Sequence, residues 1–144
     1  MVQDFVSANS IDAKVVSFQK EVSVEKVLAL NNLSTSSFAK AVPFVDDKMN
    51  IFVLIKIASE KEDISFAEDI FDKNLNPIDS KTIEKITGFK KNFFPPISVL
   101  GAKMEFTPLA KKQKQLVFSL SEKEYLIIGV DGIKKSQEIS DSFF

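Results

Sequence analysis

The sequence contains no cysteine, no histidine and no tryptophan, and all nineteen of its basic residues are lysine, so it has no arginine either. Each absence removes a kind of chemistry. Without Cys there is no disulfide, no thiolate nucleophile and no cysteine-type zinc site. Without His the commonest general base and metal ligand is missing. Without Arg there is no planar fork to grip a phosphate or carboxylate in bidentate fashion. Catalysis by this chain has to rest on lysine, carboxylates, hydroxyls, backbone amides or the substrate itself. A strong charge of one sign is also missing, since twenty acids balance the lysines to a net charge of −1. That argues against a general attraction to nucleic acid and against DNA as a partner, while a few lysines remain free to meet phosphates locally. The longest apolar run, from Ile51 to Ile55, falls far short of the ~20 residues a membrane helix needs. The first ten residues carry Asp4 and no basic start, so they do not read as a secretory signal. The cytoplasm is the expected location.

What is present suits a soluble globular protein. A chain of 144 residues, 44% apolar and 27% charged, is the size of one domain, expected here to span residues 1–144. Folding at that length buries roughly 68–70% of the unfolded surface, so no metal or disulfide staple is required. Fourteen Phe beside one Tyr imply a core of Phe and aliphatic side chains.

Periodicity along the chain predicts alternating element types. Val2 to Asn9 can form a short helix, and Ala13 to Phe18 reads as a strand. Ser23 is placed to cap a helix turning Val24, Val27, Leu28 and Leu30 inward. Phe38 to Val45 reads as a strand despite Pro43, followed by a hairpin loop from Asp46 to Asn50. Ile51 to Ile57 is the clearest strand, with Phe52 and Leu54 suggesting cover on its second face. Asp63 is placed to cap a helix with Ile64, Ala67, Ile70 and Phe71 inward. Leu75 to Ile78 is extended. Ser80 is placed to cap a short helix carrying Ile83 and Ile86 and ended by Gly88. A Pro-containing loop from Phe89 to Ser98 leads to strands from Val99 to Phe106, Gln115 to Leu120 and Tyr125 to Gly129. Asp131-Gly132 is a hairpin signal ahead of a last strand, Ile133 to Ile139. The order predicts an α/β fold: a central mixed, largely antiparallel sheet surrounded by helices.

The candidates for chemistry are few. Lys40 stands among small and apolar residues in a strand; it is either a solvated edge lysine or a partly buried ammonium that binds a phosphate or carbonyl oxygen. The segment Thr87-Gly88-Phe89-Lys90-Lys91-Asn92-Phe93-Phe94-Pro95-Pro96 is a loop of the kind that walls pockets, or a proline turn whose Phe side chains fill core. Lys111, Lys112 and Lys114 form a small basic run, most simply a solvated loop. The acid pairs Asp46-Asp47 and Glu68-Asp69 read as surface. No phosphate-binding glycine loop, metal cluster or nucleophile triad is recognisable.

Taken in order, the segments resemble the YbaK/ProX family, whose domain also occurs inside bacterial prolyl-tRNA synthetases. The resemblance runs from Asp4-Phe5-Val6 and Asn9-Ser10-Ile11-Asp12-Ala13-Lys14-Val15-Val16, through Val24 to Leu30, to Phe38-Ala39-Lys40-Ala41-Val42-Pro43-Phe44-Val45-Asp46-Asp47. It continues through Ile83-Glu84-Lys85-Ile86-Thr87-Gly88-Phe89 and the closing strands from Gln115 to Gly129. It implies an aminoacyl-tRNA deacylase that hydrolyses the ester of a mischarged tRNA, chiefly a proline tRNA bearing a wrong small amino acid. Its partners would be the acceptor end of the aminoacyl-tRNA and an aminoacyl-tRNA synthetase. It implies no metal and no cofactor, with water and the substrate's own hydroxyl carrying the chemistry. Lys40 would hold the tRNA end as the catalytic residue. Gly88, Asn92, Phe93, Phe94, Pro95, Pro96 and Gly129 would bind substrate, the backbone amides of the Asn92 to Pro96 loop gripping the aminoacyl group. The chain departs from the family where a Gly-Gly pair usually opens the loop: Asn92 and Phe93 stand there. It also has Ile128 and Lys134 near positions where the family often has a small polar residue and an acid. A degenerate homologue that binds tRNA or a synthetase without hydrolysis is the alternative.

Overall fold

The computed structural model describes Val2 and residues 11–61, 64–97 and 101–143, with side chains through 137. The strands are β1 (Ala13–Ser17), β2 (Ala39–Val45), β3 (Ile51–Ile57), β4 (Asn76–Pro77), β5 (Lys103–Phe106), β6 (Gln115–Ser119) and β7 (Glu124–Gly129). The helices are α1 (Val24–Leu30), α2 (Ile64–Phe71), α3 (Ser80–Thr87), α4 (Pro108–Lys111) and α5 (Val130–Phe143), and tight 3₁₀ turns occupy Thr35–Ser37 and Lys91–Phe93. The fold is α/β, as expected, with its strands divided between two sheets of which one is mixed. One sheet has the order β1-β7-β6 and is antiparallel throughout; the other has the order β4-β2-β3-β5 and is antiparallel except for the parallel pair β3–β5. Among the described residues, one parallel backbone bridge, Phe38 to Val117, links them.

Side-chain alternation explains the layers. Ala39, Ala41 and Val45 of β2, with Ile51, Val53, Ile55 and Ile57 of β3, face inward and meet Leu116, Phe118, Leu126 and Ile128 of the other sheet in one core. The opposite faces are also apolar. Val42, Phe44, Phe52 and Leu54 lie under α2 through Ala67, while Val117, Tyr125 and Ile127 lie under α1 through Val27 and Leu28. Every residue of β3 is buried, which is why that strand shows no polar face.

The caps follow side-chain chemistry. The Ser23 hydroxyl accepts from the Lys26 backbone N–H, as expected. The helix from Ser80 is capped by Asp79, whose carboxylate accepts from Thr82 N–H; Asp fits the cap as well as Ser, and it precedes the first helical residue. Gly88 ends α3 at φ 81°, in the left-handed region that glycine enters without strain. Thr107 caps α4 with Pro108 in its first turn, a short helix not anticipated. Leu30 and Ile86, expected inward, are 62% and 41% exposed, because each lies in the last turn of a seven- or eight-residue helix whose cover ends one turn earlier. The proposed cap at Asp63, the start of the strand expected from Val99, and all of the first helix but Val2 lie outside the described residues.

The largest correction is at the C-terminus. Asp131-Gly132 is not a hairpin turn but the first turn of α5, and the stretch from Ile133 to Ile139, expected as a strand, belongs to that helix. Buried Val130, Ile133 and Ser136 recur every three residues, the spacing of a helix face. Gly132 serves proximity: a Cβ there would come within 2.9 Å of the Ile128 side chain and 3.2 Å of Ile11.

Asp46 also departs from expectation. It is 7% exposed and organises the β2–β3 turn. Its carboxylate accepts from the Lys48 and Asn50 backbone N–H groups at 3.0 and 2.8 Å, from the Asn50 amide at 3.0 Å and from Lys73 Nζ at 3.1 Å. The Asn50 side chain first, then its backbone N–H and Lys73, hold the Asp46 carboxyl well below the ordinary carboxylate range, against the opposing effect of burial. A carboxyl depressed in the folded state contributes stability that is complete above its unfolded pKa, about 3.9, and is lost as pH falls through and below that value. We expect the melting temperature of the parent to fall more steeply below pH ~4 than that of Asp46→Asn, which has no charge to lose there. Parallel curves would show that the turn does not depend on the ionised carboxylate.

Candidate functional site

The register of β2 explains where a cavity can open. Phe38 C=O accepts from Ala58 N–H, and Asp46 N–H donates to Asn50 C=O, so the even-numbered residues of β2 exchange their backbone hydrogen bonds with β3. By antiparallel alternation, Ala39, Ala41 and Pro43 then turn their backbone polar groups to the other edge. Among the described residues, that edge is bridged by backbone to β6 at Phe38–Val117 and to β4 at Phe44 and Val45. Between those contacts β2 and β6 diverge, and the gap is a cavity of about 80 Å³.

Lys40 is the one exposed residue of β2. It lines this cavity together with Ala41, Lys91, Asn92, Phe94 and Ser119. Small Ala39 and Ala41 leave room at the strand, buried Phe94 supplies an apolar wall, and the 3₁₀ turn Lys91–Phe93 brings polar groups across. The surroundings of Lys40 are more cationic than its sequence neighbours suggest. Lys56 lies directly opposite it on β3, which puts the two Cβ atoms roughly 5 Å apart. Lys56 is 2% exposed and its ammonium donates to the backbone carbonyl of Glu60. Two positively charged side chains on the rim, Lys40 and Lys91, favour an anionic or carbonyl oxygen there. Lys56 was not among the candidate residues, although its partnership with Lys40 follows from centring the hairpin on its loop.

The remaining candidates are divided. Asn92 and Phe94 share the cavity with Lys40. Gly88 and Phe93 border a second, wider cavity on the other side of the 3₁₀ turn. Pro95 and Pro96 are buried directly after Phe94 and line neither. Gly129 ends β7, paired with Gln115 at the start of β6, in a third depression with Lys111, Lys114 and Lys134. Its own constraint is packing: a Cβ would stand 3.1 Å from the Lys114 carbonyl. The Lys40 side chain is exposed, as a solvated lysine would be, and it also lines the narrow cavity. Among the described residues, no group of acidic side chains is arranged to hold a metal ion, and no helix is long and apolar enough to cross a membrane.

No family model matches the sequence, and no curated protein matches it. Solved structures do match the fold. The chain is similar to a proposed trans-editing enzyme for prolyl tRNA synthetase, at 12% identity and a TM-score of 0.79, over 95% of this chain and 89% of the other. It is equally similar to the hypothetical protein APE2540, at 14% identity and a TM-score of 0.78, over 95% and 93% of the two chains. It also matches 28% of a longer signal transduction candidate from Marinobacter aquaeolei VT8, at 13% identity, a TM-score of 0.66 and 95% coverage of this chain. At these identities the likeness establishes the fold.

Proposed function

We propose that this chain, as one domain, is an aminoacyl-tRNA deacylase of the YbaK/ProX type, with a proline tRNA bearing a wrong small amino acid as the first substrate to test. The observation that carries the reading is the cavity in which Lys40 meets the Lys91–Phe93 turn across the open edge of β2. It sits in a fold shared with a proposed trans-editing enzyme for prolyl tRNA synthetase. The size also agrees. At about 80 Å³ the cavity is several times the roughly 10–15 Å³ needed to admit a single water, a small space suited to a small acyl group rather than a bulky one.

The reaction asks little of the protein. Water attacks the ester carbonyl, the carbonyl electron pair moves to oxygen, and the tetrahedral adduct collapses with loss of the ribose oxygen, which takes up a proton. The Lys40 ammonium stabilises negative charge on that oxygen or on an adjacent phosphate. The outward N–H and C=O groups of Ala41 are suited to the amino and carbonyl groups of the substrate. The ribose hydroxyl beside the ester positions the water. None of these steps calls for imidazole or thiolate.

Asn92 favours the second reading, binding without hydrolysis, since it brings a side chain to the cavity where the family has glycine. Phe93 argues less strongly for it, because its ring borders the neighbouring cavity. Neither residue has positive φ, so the right-handed turn places no conformational demand for glycine. The decisive experiment is deacylation of a panel of mischarged tRNAs. Release of an amino acid from at least one supports the enzyme; binding with no release from any member supports the second reading. Binding itself should weaken with salt. If about three phosphates are contacted on the single-stranded end, the log–log slope is roughly −2. Undiminished affinity in high salt would show that lysine–phosphate contacts do not carry it.

A further inference from the structure

The narrow cavity is charged with one sign only. Lys40 and Lys91 are among its lining residues, and among the described residues no carboxylate joins them. We propose that the acyl group it takes carries a carboxylate of its own, as aspartyl does, and that Lys91 is the residue that selects it; this rests on the deacylase reading above.

Three observations lead there. First, the reaction needs one cation and the cavity has two. Lys40 stands exposed on β2, placed to meet charge developing on the ester oxygen. Lys91 approaches from the 3₁₀ turn opposite and is half-buried. Among the described residues, neither is held in an ion pair. The carboxylate of Asp79 is within electrostatic reach of Lys91. It is committed, however, to the cap of α3, where it accepts from Thr82 N–H at 2.7 Å, and it does not line the cavity. The second ammonium is left to the ligand.

Second, an aminoacyl ester with a neutral side chain makes the imbalance worse. An α-amino group titrates near about 7.7–8.0 and is largely protonated at neutral pH, so it brings a further positive charge to a site that already has two. A side-chain carboxylate cancels that charge. Opposite charges attract roughly four times more strongly near a protein surface than in bulk water.

Third, the polar side chains are set to donate. The Ser119 hydroxyl gives its hydrogen to the Ser121 carbonyl at 3.0 Å, which leaves Lys40, Lys91 and the Asn92 amide as side-chain donors around the cavity. A carboxylate only accepts, through two oxygens, and so complements them. The α-ammonium is then left to the outward carbonyl of Ala41. Aspartyl is the smallest amino acid of this kind, in keeping with a space of about 80 Å³.

The test charges one proline tRNA in turn with aspartyl, asparaginyl and alanyl groups. Single-turnover release is measured with the uncatalysed rate of each ester subtracted. Aspartyl and asparaginyl differ in charge and hardly in shape. Aspartyl should be released about ten- to hundredfold faster than asparaginyl, the scale of one hydrogen bond to a charged group. Lys91→Met, which keeps the length of the side chain without its charge, should bring that ratio to about one. A ratio taken within one preparation does not depend on how much of the variant is folded. Equal release of aspartyl and asparaginyl by the parent overturns the proposal and leaves the deacylase standing. An unchanged ratio in Lys91→Met overturns it too; if all three esters slow alike, Lys91 serves a phosphate instead. If no ester is hydrolysed, the deacylase reading falls, and backbone amide NMR shifts decide on the site, with the α-methyl esters of aspartate and asparagine as probes. Larger shifts at Lys91 and Asn92 with the aspartate ester sustain a carboxylate site; equal or absent shifts overturn it.

Discussion

Lys40→Ala is expected to lower deacylation about ten- to hundredfold while leaving the melting temperature unchanged. The size comes from the loss of one charge-assisted contact, ~1.5–3 kcal/mol. The selectivity comes from position. All other residues of β2 are buried, whereas the Lys40 side chain is exposed and makes no part of the apolar clusters. Single-turnover deacylation of parent and variant, with thermal melts alongside, is the measurement. Equal rates would return Lys40 to the role of a solvated lysine and leave the deacylase reading without its charged group.

Phe118→Ala should show the opposite signature. Phe118 is 1% exposed, belongs to the central core and also lines the narrow cavity. Truncating a buried Phe costs ~3–5 kcal/mol through lost transfer energy and the space left behind. For a chain of this size that corresponds to a fall in melting temperature on the order of 10 °C. The space would open onto the cavity that the acyl group is proposed to fill, so the surviving folded protein should discriminate less between small and larger acyl groups. A melt within a degree or two of the parent would mean that the core collapses around the gap. Unchanged acyl preference in that case would separate Phe118 from the pocket.

Much of the arrangement is legible in the amino acids because the strongest signals are periodic. Ile51, Val53, Ile55 and Ile57 alternate with Phe52 and Leu54, and only a strand covered on both faces accommodates that pattern. Ser23 and Gly88 mark a helix start and a helix end because their chemistry is local. The errors arise where a local signal competes with tertiary packing. Asp131-Gly132 carries turn chemistry, but the chain uses the glycine to bring α5 against Ile128 and Ile11. Asp46 reads as a surface acid until Lys73, 27 residues away, is seen to reach its carboxylate. Thr107-Pro108 is a local capping signal too, but the helix it opens has only four residues and so carries no periodicity to accompany it. For the site, Lys40 and the Gly88 to Pro96 segment stand out by composition. That this segment turns different faces to two cavities depends on the turn at Lys91–Phe93, and three consecutive polar and aromatic residues give no periodicity from which to read it.

The pairing of β1 with β7 has a consequence for how the molecule is made. Its rungs join residues about as far apart as Ser17 and Glu124, a separation of 107 positions, while β2 and β3 meet through a five-residue turn. The hairpin can therefore form as it leaves the ribosome, whereas the three-stranded sheet must wait for the last strand, a long-range closure of the kind that slows folding. The narrow cavity lies between an early strand, β2, and a late one, β6. During synthesis the Lys40 face of the hairpin is thus exposed first, without the wall that later encloses its neighbouring edge. A charged side chain such as Lys40 on a strand whose edge is still open is a feature that disfavours pairing with other chains.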